Sequence, residues 1–449
     1  MKKTKIWYIN KMFSINSMKN NALIFLSSLF LFSCNSKENL SEYIPKDAKS
    51  VAQIDLPGLK YKALTWETIK EYLSSSQLEN PNFSIDLDRK AYVYSISDVA
   101  NFVALVPIES VEDFEKAILS KNKSAVLELN GFKYIDTEFM SNQRLFIAWK
   151  KDFAVFCTSK NEIQKITKQN IFHSCLQTFG KHDVEAIIEY SLGNSLVTKI
   201  QSSADFNDGQ LLLNLKNDEN LTQKLTNYVV MNDATTSLAF KNDSSIFSLS
   251  AYLNADLLNS TLSMCMPFLE KYGAIESLQY EKIKPFLDGR FYLGLSSLKQ
   301  KNAPYSQLKM GFGVTKSFNS TDPLFATMHL NAKTNAFVSS NNHQAIRSTR
   351  EYILFANDLD FISDKLPTRN IISLNVKKEL LNEPSFELLK LFFGASVIES
   401  IPFSEIKTTT KKDKNLFVTK VELEFKESEK NSLLSLLKWA ETYGKQDEI

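Results

Sequence analysis

From residue 43 to the C-terminus, short apolar runs alternate with polar turns, and the spacing of the apolar positions switches between two residues and three or four. Ser50-Val51-Ala52-Gln53-Ile54-Asp55-Leu56 alternates as a half-buried strand does. Pro57-Gly58 closes it, and apolar positions from Leu59 to Leu73 recur at helical spacing. Residues 91–96 and 102–107 read as a hairpin across a polar Ser97-Asp98 turn, and Ser110-Val111-Glu112-Asp113 resembles a capping box opening a helix that carries Phe114, Ala117 and Ile118 on one face. Three more strands are expected at 132–135, 144–149 and 153–158.

The same order recurs. A strand at 184–190 precedes a helical stretch containing Leu192, then a hairpin of 237–240 with 246–251, then a helix over 255–268. A third instance opens with a strand at 370–376 and a helix through Leu380 to Phe393. A hairpin of 404–409 with 417–425 follows, across Lys411-Lys412-Asp413-Lys414-Asn415. Asn431 then caps a final helix bearing Leu433, Leu436, Leu437 and Ala440, with Gly444 as its stop. The expected architecture is therefore α+β: mostly antiparallel sheets with helices packed on one face, built from about three diverged strand–helix–hairpin–helix units. The expected divisions are a leader over 1–33, a tether over 34–43, a first α+β domain over 44–180, and a second region with two further repeat units over 181–449.

Composition narrows the function classes. The chain has 449 residues, 43% hydrophobic and 23% charged, which is ordinary for a globular protein long enough to bury a core without staples. Its 53 basic side chains fall to 48 once the five lysines of residues 1–33 are set aside, against 51 acidic ones. A body so close to neutral carries no electrostatic footprint for nucleic acid. Twelve glycines in the whole chain make glycine-rich phosphate cradles scarce. The 32 phenylalanines could form aromatic platforms for sugars, but filling a core accounts for most of them.

The N-terminus carries the strongest signal. Lys19-Asn20-Asn21 precedes an apolar run over 22–32, and Ser33-Cys34 follows. A basic segment, an apolar segment of that length and a small residue before the cut make a secretory signal, too short to span a bilayer. Met18 offers an alternative start. Leu31-Phe32-Ser33-Cys34 resembles the lipobox of bacterial lipoproteins, with Phe32 bulkier than usual there. The resemblance implies lipid on the Cys34 thiol, cleavage before it and acylation of the new amino group; several acyl chains together anchor a protein stably. Asn35 at the second mature position resembles outer-membrane sorting.

Ile44-Pro45-Lys46-Asp47-Ala48 running into Val51-Ala52-Gln53-Ile54-Asp55-Leu56, close behind that lipobox, resembles a family of Bacteroidota lipoproteins of unknown function. The C-terminal Asn431-Ser432-Leu433-Leu434 helix after a charged hairpin is similar as well. The resemblance implies an envelope address and carries no activity or site residues with it.

Candidate chemistry is sparse. With Cys34 lipidated, Cys157, Cys175 and Cys265 remain; Cys157 and Cys175 are the pair that an oxidising compartment could bridge. His173-Ser174-Cys175 with Cys157 lacks a fourth metal ligand. Met264-Cys265-Met266 offers three sulfurs whose helical spacing points them apart, so no metal or other cofactor is expected. The histidines His173, His182, His329 and His343 are scattered, and no hydrolase, Walker or dinucleotide fingerprint is present. Gly311-Phe312-Gly313 reads as a kink or bulge in a strand, and Asp86-Leu87-Asp88 and Asp358-Leu359-Asp360 read as turns. The basic hairpin at 407–414 is a solvated tip or a contact for anionic lipid or polysaccharide.

These features point to a non-enzymatic, lipid-anchored protein of the cell envelope that works through protein or glycan contacts. The alternative is an envelope hydrolase whose site is assembled from distant residues, which a polar cleft with converging carboxylates or a His–Asp pair would favour.

Overall fold

The structure is a computed structural model that describes residues 39–62, 84–96, 101–121, 124–139, 143–169, 174–192, 196–229, 237–240, 245–271, 275–296, 307–340, 344–357, 359, 362–366, 368–382, 401–428 and 430–444. Among them are twenty strands and seven α-helices, the longest helix having 17 residues. The chain forms two compact units: residues 1–211 with 429–449, and residues 212–428.

The first unit is a nine-stranded antiparallel sheet in the order β4-β5-β6-β7-β3-β2-β1-β8-β9. Its strands are β1 (Ser50–Ile54), β2 (Ala91–Ser95), β3 (Phe102–Pro107), β4 (Leu127–Leu129), β5 (Phe132–Phe139), β6 (Gln143–Lys150), β7 (Phe153–Cys157), β8 (Val184–Leu192) and β9 (Leu196–Asn207). The uninterrupted apolar run of β3 is buried on both faces, as such runs are when a strand lies inside a covered sheet. Helix α1 (Leu56–Tyr61) follows β1 and buries Leu56 and Leu59. Helix α2 (Val111–Lys121) starts where Ser110 Oγ accepts a hydrogen bond from Asp113 N at 3.2 Å, and its Phe114 meets the fully buried Trp149 edge-on at 5.9 Å. Leu40 and Tyr43, within the segment whose polar run reads as tether, belong to this core.

Helix α3 (Lys160–Lys165) follows β7, and β10 (Gln210–Asn217) carries the chain into the second unit, where α4 (Glu219–Leu225) begins on the side chain of Asp218. Ten further strands pair there in the order β20-β19-β18-β11-β12-β13-β17-β16-β15-β14. They are β11 (Ser245–Tyr252), β12 (Leu287–Ser296), β13 (Gln307–Val314), β14 (Met328–Asn331), β15 (Ala336–Ser339), β16 (Ala345–Ser348), β17 (Tyr352–Ala356), β18 (Ile372–Lys377), β19 (Phe403–Asp413) and β20 (Leu416–Phe425). One face of this sheet holds the main core: Phe291, Met310, Phe312 and Phe355 pack with Leu258, Leu262 and Met266 of α5 (Ala255–Lys271) and Tyr280 of α6 (Ser277–Ile283). The other face holds the smaller cluster of Leu238, Phe240, Tyr292, Tyr352 and Leu354. The last helix, α7 (Ser432–Gly444), returns to the first unit, where the Asn431 side chain accepts from Leu433 N at 3.0 Å and donates to Phe206 O at 2.9 Å.

The expected α+β layering is corrected by this arrangement. Among the described residues extended antiparallel sheet dominates, the helices are few and short, and no layer of helices covers one face in three repeated units. Two misread segments explain much of the difference. Leu192, expected in helix, ends strand β8, and the twelve-residue strand β9 begins at Leu196. Leu192, Leu196 and Ile200 are four apart, a spacing shared by one face of a helix and one face of a strand; β-branched Val197, Thr198 and Ile200 tip the balance towards strand. Residues 237–240, expected to pair with 246–251 as a hairpin, form no strand. Instead β11 pairs with β12 and with β18, placing Leu249 opposite Leu374. Meanwhile the chain from β12 to β17 builds antiparallel sheet where no repeat was anticipated. Most of the helix expected over 59–73, and the greater part of that expected from Leu380 to Phe393, lie outside the described residues; Lys378–Asn382 is a 3-10 turn.

Candidate functional site

On the second face of the second unit, period-two alternation puts a row of small polar side chains side by side. Ser248 of β11 pairs with Asn375 of β18, and Ser250 pairs with Ser373. Asn375 in turn stands beside Lys407 of β19, and Lys377 beside Glu405. The alternate positions Leu249, Leu374 and Val376 turn to the opposite face, so a strict polar–apolar register creates this surface.

Residues 237–240, 365–366 and 368–370 form a strap across it. Leu366 N donates to Ala239 O at 2.7 Å and Ser237 N to Asn370 O at 3.1 Å. The buried Ser237 and Ser250 hydroxyls lie 2.6 Å apart, tying strap to sheet. Strap and sheet border a half-open cavity of about 420 Å³ lined by Ser248, Ser373, Asn375, Lys377, Glu405 and the Phe240–Tyr292 pair, among others.

Two glycines set its aromatic wall. A Cβ on Gly311 would come within 2.6 Å of the Phe240 ring, and one on Gly294 within 3.1 Å of the ring carbons of Tyr292. Both rings therefore lie down against the sheet where a side chain would otherwise stand, and they meet each other edge-on at 5.1 Å.

The charges in and beside the cavity balance. Lys407 Nζ sits 2.9 Å from Glu405 and 2.6 Å from Glu424. Burial pushes the Glu405 carboxyl up, but hydrogen bonds from Lys407 and Asn375 and the charges of Lys407 and Lys377 outweigh it and hold Glu405 below the ordinary carboxylate range. Burial likewise works against the charged form of Lys407, and its bonds to Glu424 and Glu405 overcome that and raise it. Asn375 Oδ1 is buried with no hydrogen-bond partner.

The residues singled out in the sequence scatter. Cys34, His173, His343, Asp358 and Asp360 lie outside the described residues. Cys157 is a buried free thiol whose Sγ donates to Ser159 O at 3.3 Å; burial, the largest influence, pushes it up to about 12. Cys175 lies in a 3-10 turn (Ser174–Thr178) and Cys265 in α5, the side chains of both being outside the described set. Met264 is 75% exposed while Met266 is in the core, so the two thioethers face opposite ways. Asp86 is buried and accepts from Asp88 N at 2.9 Å, as an Asx turn does. The Gly311-Phe312-Gly313 strand runs beside a register shift, which falls on β12 between Leu287 and Phe291, where Gly289 has φ +96°. Lys407 is drawn into the carboxylate bridge, while the tip of the basic hairpin turns at Lys414 with φ 56°. Among the described residues no cluster of three or more His, Cys, Asp or Glu side chains could hold a metal ion.

One pair was missed by sequence reasoning. His182 Nδ1 lies 2.8 Å from Asp205 Oδ2 in the first unit, and the neighbouring Asp183 accepts from Lys62 Nζ at 2.7 Å and Phe206 N at 2.6 Å. The two residues sit near the paired ends of β8 and β9, a juxtaposition hidden once β9 is read as helix.

No protein-family model matches the chain, and no curated protein matches it. Among solved structures it is similar to a chain titled "Structure of crystal form IV of TP0453", at 9% identity over 46% of this chain and 90% of that one. With a TM-score of 0.28 the two folds are not equated. Among the described residues no helix is long and apolar enough to cross a membrane.

Proposed function

We propose that this chain is a cell-envelope lipoprotein, held to the membrane by lipid on Cys34, whose folded body binds a ligand and performs no chemistry. The observation that carries the reading is the ordered basic, apolar and small-residue sequence ending at Cys34, six residues before Leu40 enters the core. The cavity supports the binding role: its lining is largely hydroxyl and amide with one charge of each sign, Lys377 and Glu405, and among the described residues no hydroxyl in it is hydrogen-bonded to a carboxylate or histidine base. Asn35 and the resemblance to Bacteroidota lipoproteins favour an outer-membrane address.

The test is metabolic labelling with a clickable palmitate analogue of wild type and Cys34→Ala, with intact-cell protease shaving of the same samples. Label lost in the variant is the expected result, and the shaving pattern reports which side of the envelope the body faces. Equal label in both proteins, or none in either, overturns the anchor.

A hydrolase is the second reading, and the His182–Asp205 pair is the observation that favours it. Among the described residues no hydroxyl or thiol hydrogen-bonds to His182, so the pair lacks the nucleophile a triad needs. Turnover of p-nitrophenyl acetate that disappears in His182→Ala would establish this reading over the first.

A further inference from the structure

The cavity of the second unit has a chemical signature of its own, and it narrows the ligand. This inference rests on the reading of the chain as a binding protein and adds the class of ligand. The lining holds one charge of each sign, Lys377 and its cross-strand neighbour Glu405, and Glu405 is further bridged by Lys407, which also bridges Glu424 beside the cavity. A ligand with a net charge meets no uncompensated partner there, whereas a neutral polar ligand pays no such penalty. Hydrogen-bonding capacity is left over nonetheless. Among the described residues the Ser248 and Ser373 hydroxyls have no protein partner, and both line the cavity. Asn375 turns its amide nitrogen to Glu405 and keeps a carbonyl oxygen that no protein donor satisfies. The free hydroxyls of Ser248 and Ser373 can both donate and accept, and a ligand bearing adjacent hydroxyls matches them.

One wall of the cavity is apolar. Phe240 and Tyr292 lie down against the sheet over Gly311 and Gly294. Both rings are buried, at 4% and 3% exposure, so this wall closes the cavity without offering a ring face, and a ligand's polar groups meet the hydroxyl-bearing strands instead. At about 420 Å³ the cavity is at the small end of ligand sites, which run from roughly 300 to 1,000 Å³. We infer that the cavity between β11, β18, β19 and the strap binds a neutral sugar of one or two rings, hydrogen-bonded by the Ser248 and Ser373 hydroxyls beside the buried Phe240–Tyr292 wall.

The experiment is saturation-transfer NMR on the full chain purified in detergent. The sugar probes are methyl β-D-glucopyranoside, methyl β-D-galactopyranoside, N-acetylglucosamine and maltose; glutamate and lysine are the charged controls. At least one sugar shows transfer and neither control does. Ser373→Leu, which fills the cavity from a strand position that accepts an apolar side chain, raises the sugar's dissociation constant at least tenfold. Should that variant fail to fold by circular dichroism, Ser248→Val serves in its place. Silence from all four sugars, or undiminished binding in a folded variant, overturns the inference. A charged probe binding at the cavity overturns the sugar while leaving the binding role intact. Neither result touches the anchor, which the Cys34→Ala labelling decides separately.

Discussion

The ring of Phe240 occupies the place where a side chain at position 311 would begin: a Cβ on Gly311 would stand 2.6 Å from Phe240 Cε2. The two residues lie far apart in sequence, and their approach seats the strap against the sheet and shapes one wall of the cavity. Gly311→Ala therefore forces the ring to move. Overpacking of this kind costs about 1–3 kcal/mol. A lower urea midpoint at unchanged m-value is the expected outcome, and Phe240→Leu in the same chain should recover part of the loss, giving a double-mutant coupling well away from zero.

Lys407 lies between Glu405 and Glu424, which are themselves cross-strand partners. Lys407→Met leaves two carboxylates facing each other. Because all three groups are partly exposed, the loss at neutral pH should be no more than ~1 kcal/mol. Glu405 is held below its ordinary range in the folded state, so its contribution is present above that range and is lost as pH falls through the lowered value. The gap between wild type and variant in urea unfolding should narrow from pH 7 to pH 3.

Cys157 should be chemically silent in the native protein. Its thiol, pushed from the ordinary 9.0 to about 12 by burial, holds on the order of one thiolate in ten thousand at pH 8. Iodoacetamide at that pH should label the Cys157 peptide only after denaturation, as read by mass spectrometry.

The same burial predicts alkaline sensitivity. A group whose folded value is raised contributes stability that is complete below the unfolded value and is lost as pH rises through the folded one. For Cys157 that window runs from 9.0 to about 12, and at about 1.36 kcal/mol per pH unit its ceiling is about 4 kcal/mol. Burial raises Tyr92 and Tyr94 as well, so they add to the loss. Denaturant unfolding from pH 8 to 11 should show stability flat at first and then falling, less steeply in Cys157→Ala.

Asn431 performs two tasks from one buried side chain, capping α7 through Oδ1 and holding Phe206 O through Nδ2. Asn431→Ala loses both, at about 1 kcal/mol for the cap and about as much again for the orphaned carbonyl. Asn431→Asp keeps the cap acceptor and should recover roughly half of that in thermal or urea unfolding.

What the sequence determined by itself was local. The alternation of Ser50–Ile54, the hairpin of β2 and β3, the Ser110 cap of α2, the charged hairpin of β19 and β20, and the Asn431 cap could all be read because each depends on neighbours within a few residues. Only the tertiary structure decided what those pieces build. β11 finds β18 more than a hundred residues away, α7 closes the first unit, and β9 is a strand although its apolar spacing also fits a helix. The candidate site belongs to this second class. Ser248, Ser373, Asn375, Lys377 and Glu405 are unremarked residues of three strands whose pairing puts them on one face, and Phe240 joins them because two glycines leave room for rings. The physical reason is that strand pairing is a contact between distant segments. The pattern within a strand fixes which side chains share a face, and the choice of partner strand fixes what that face will meet.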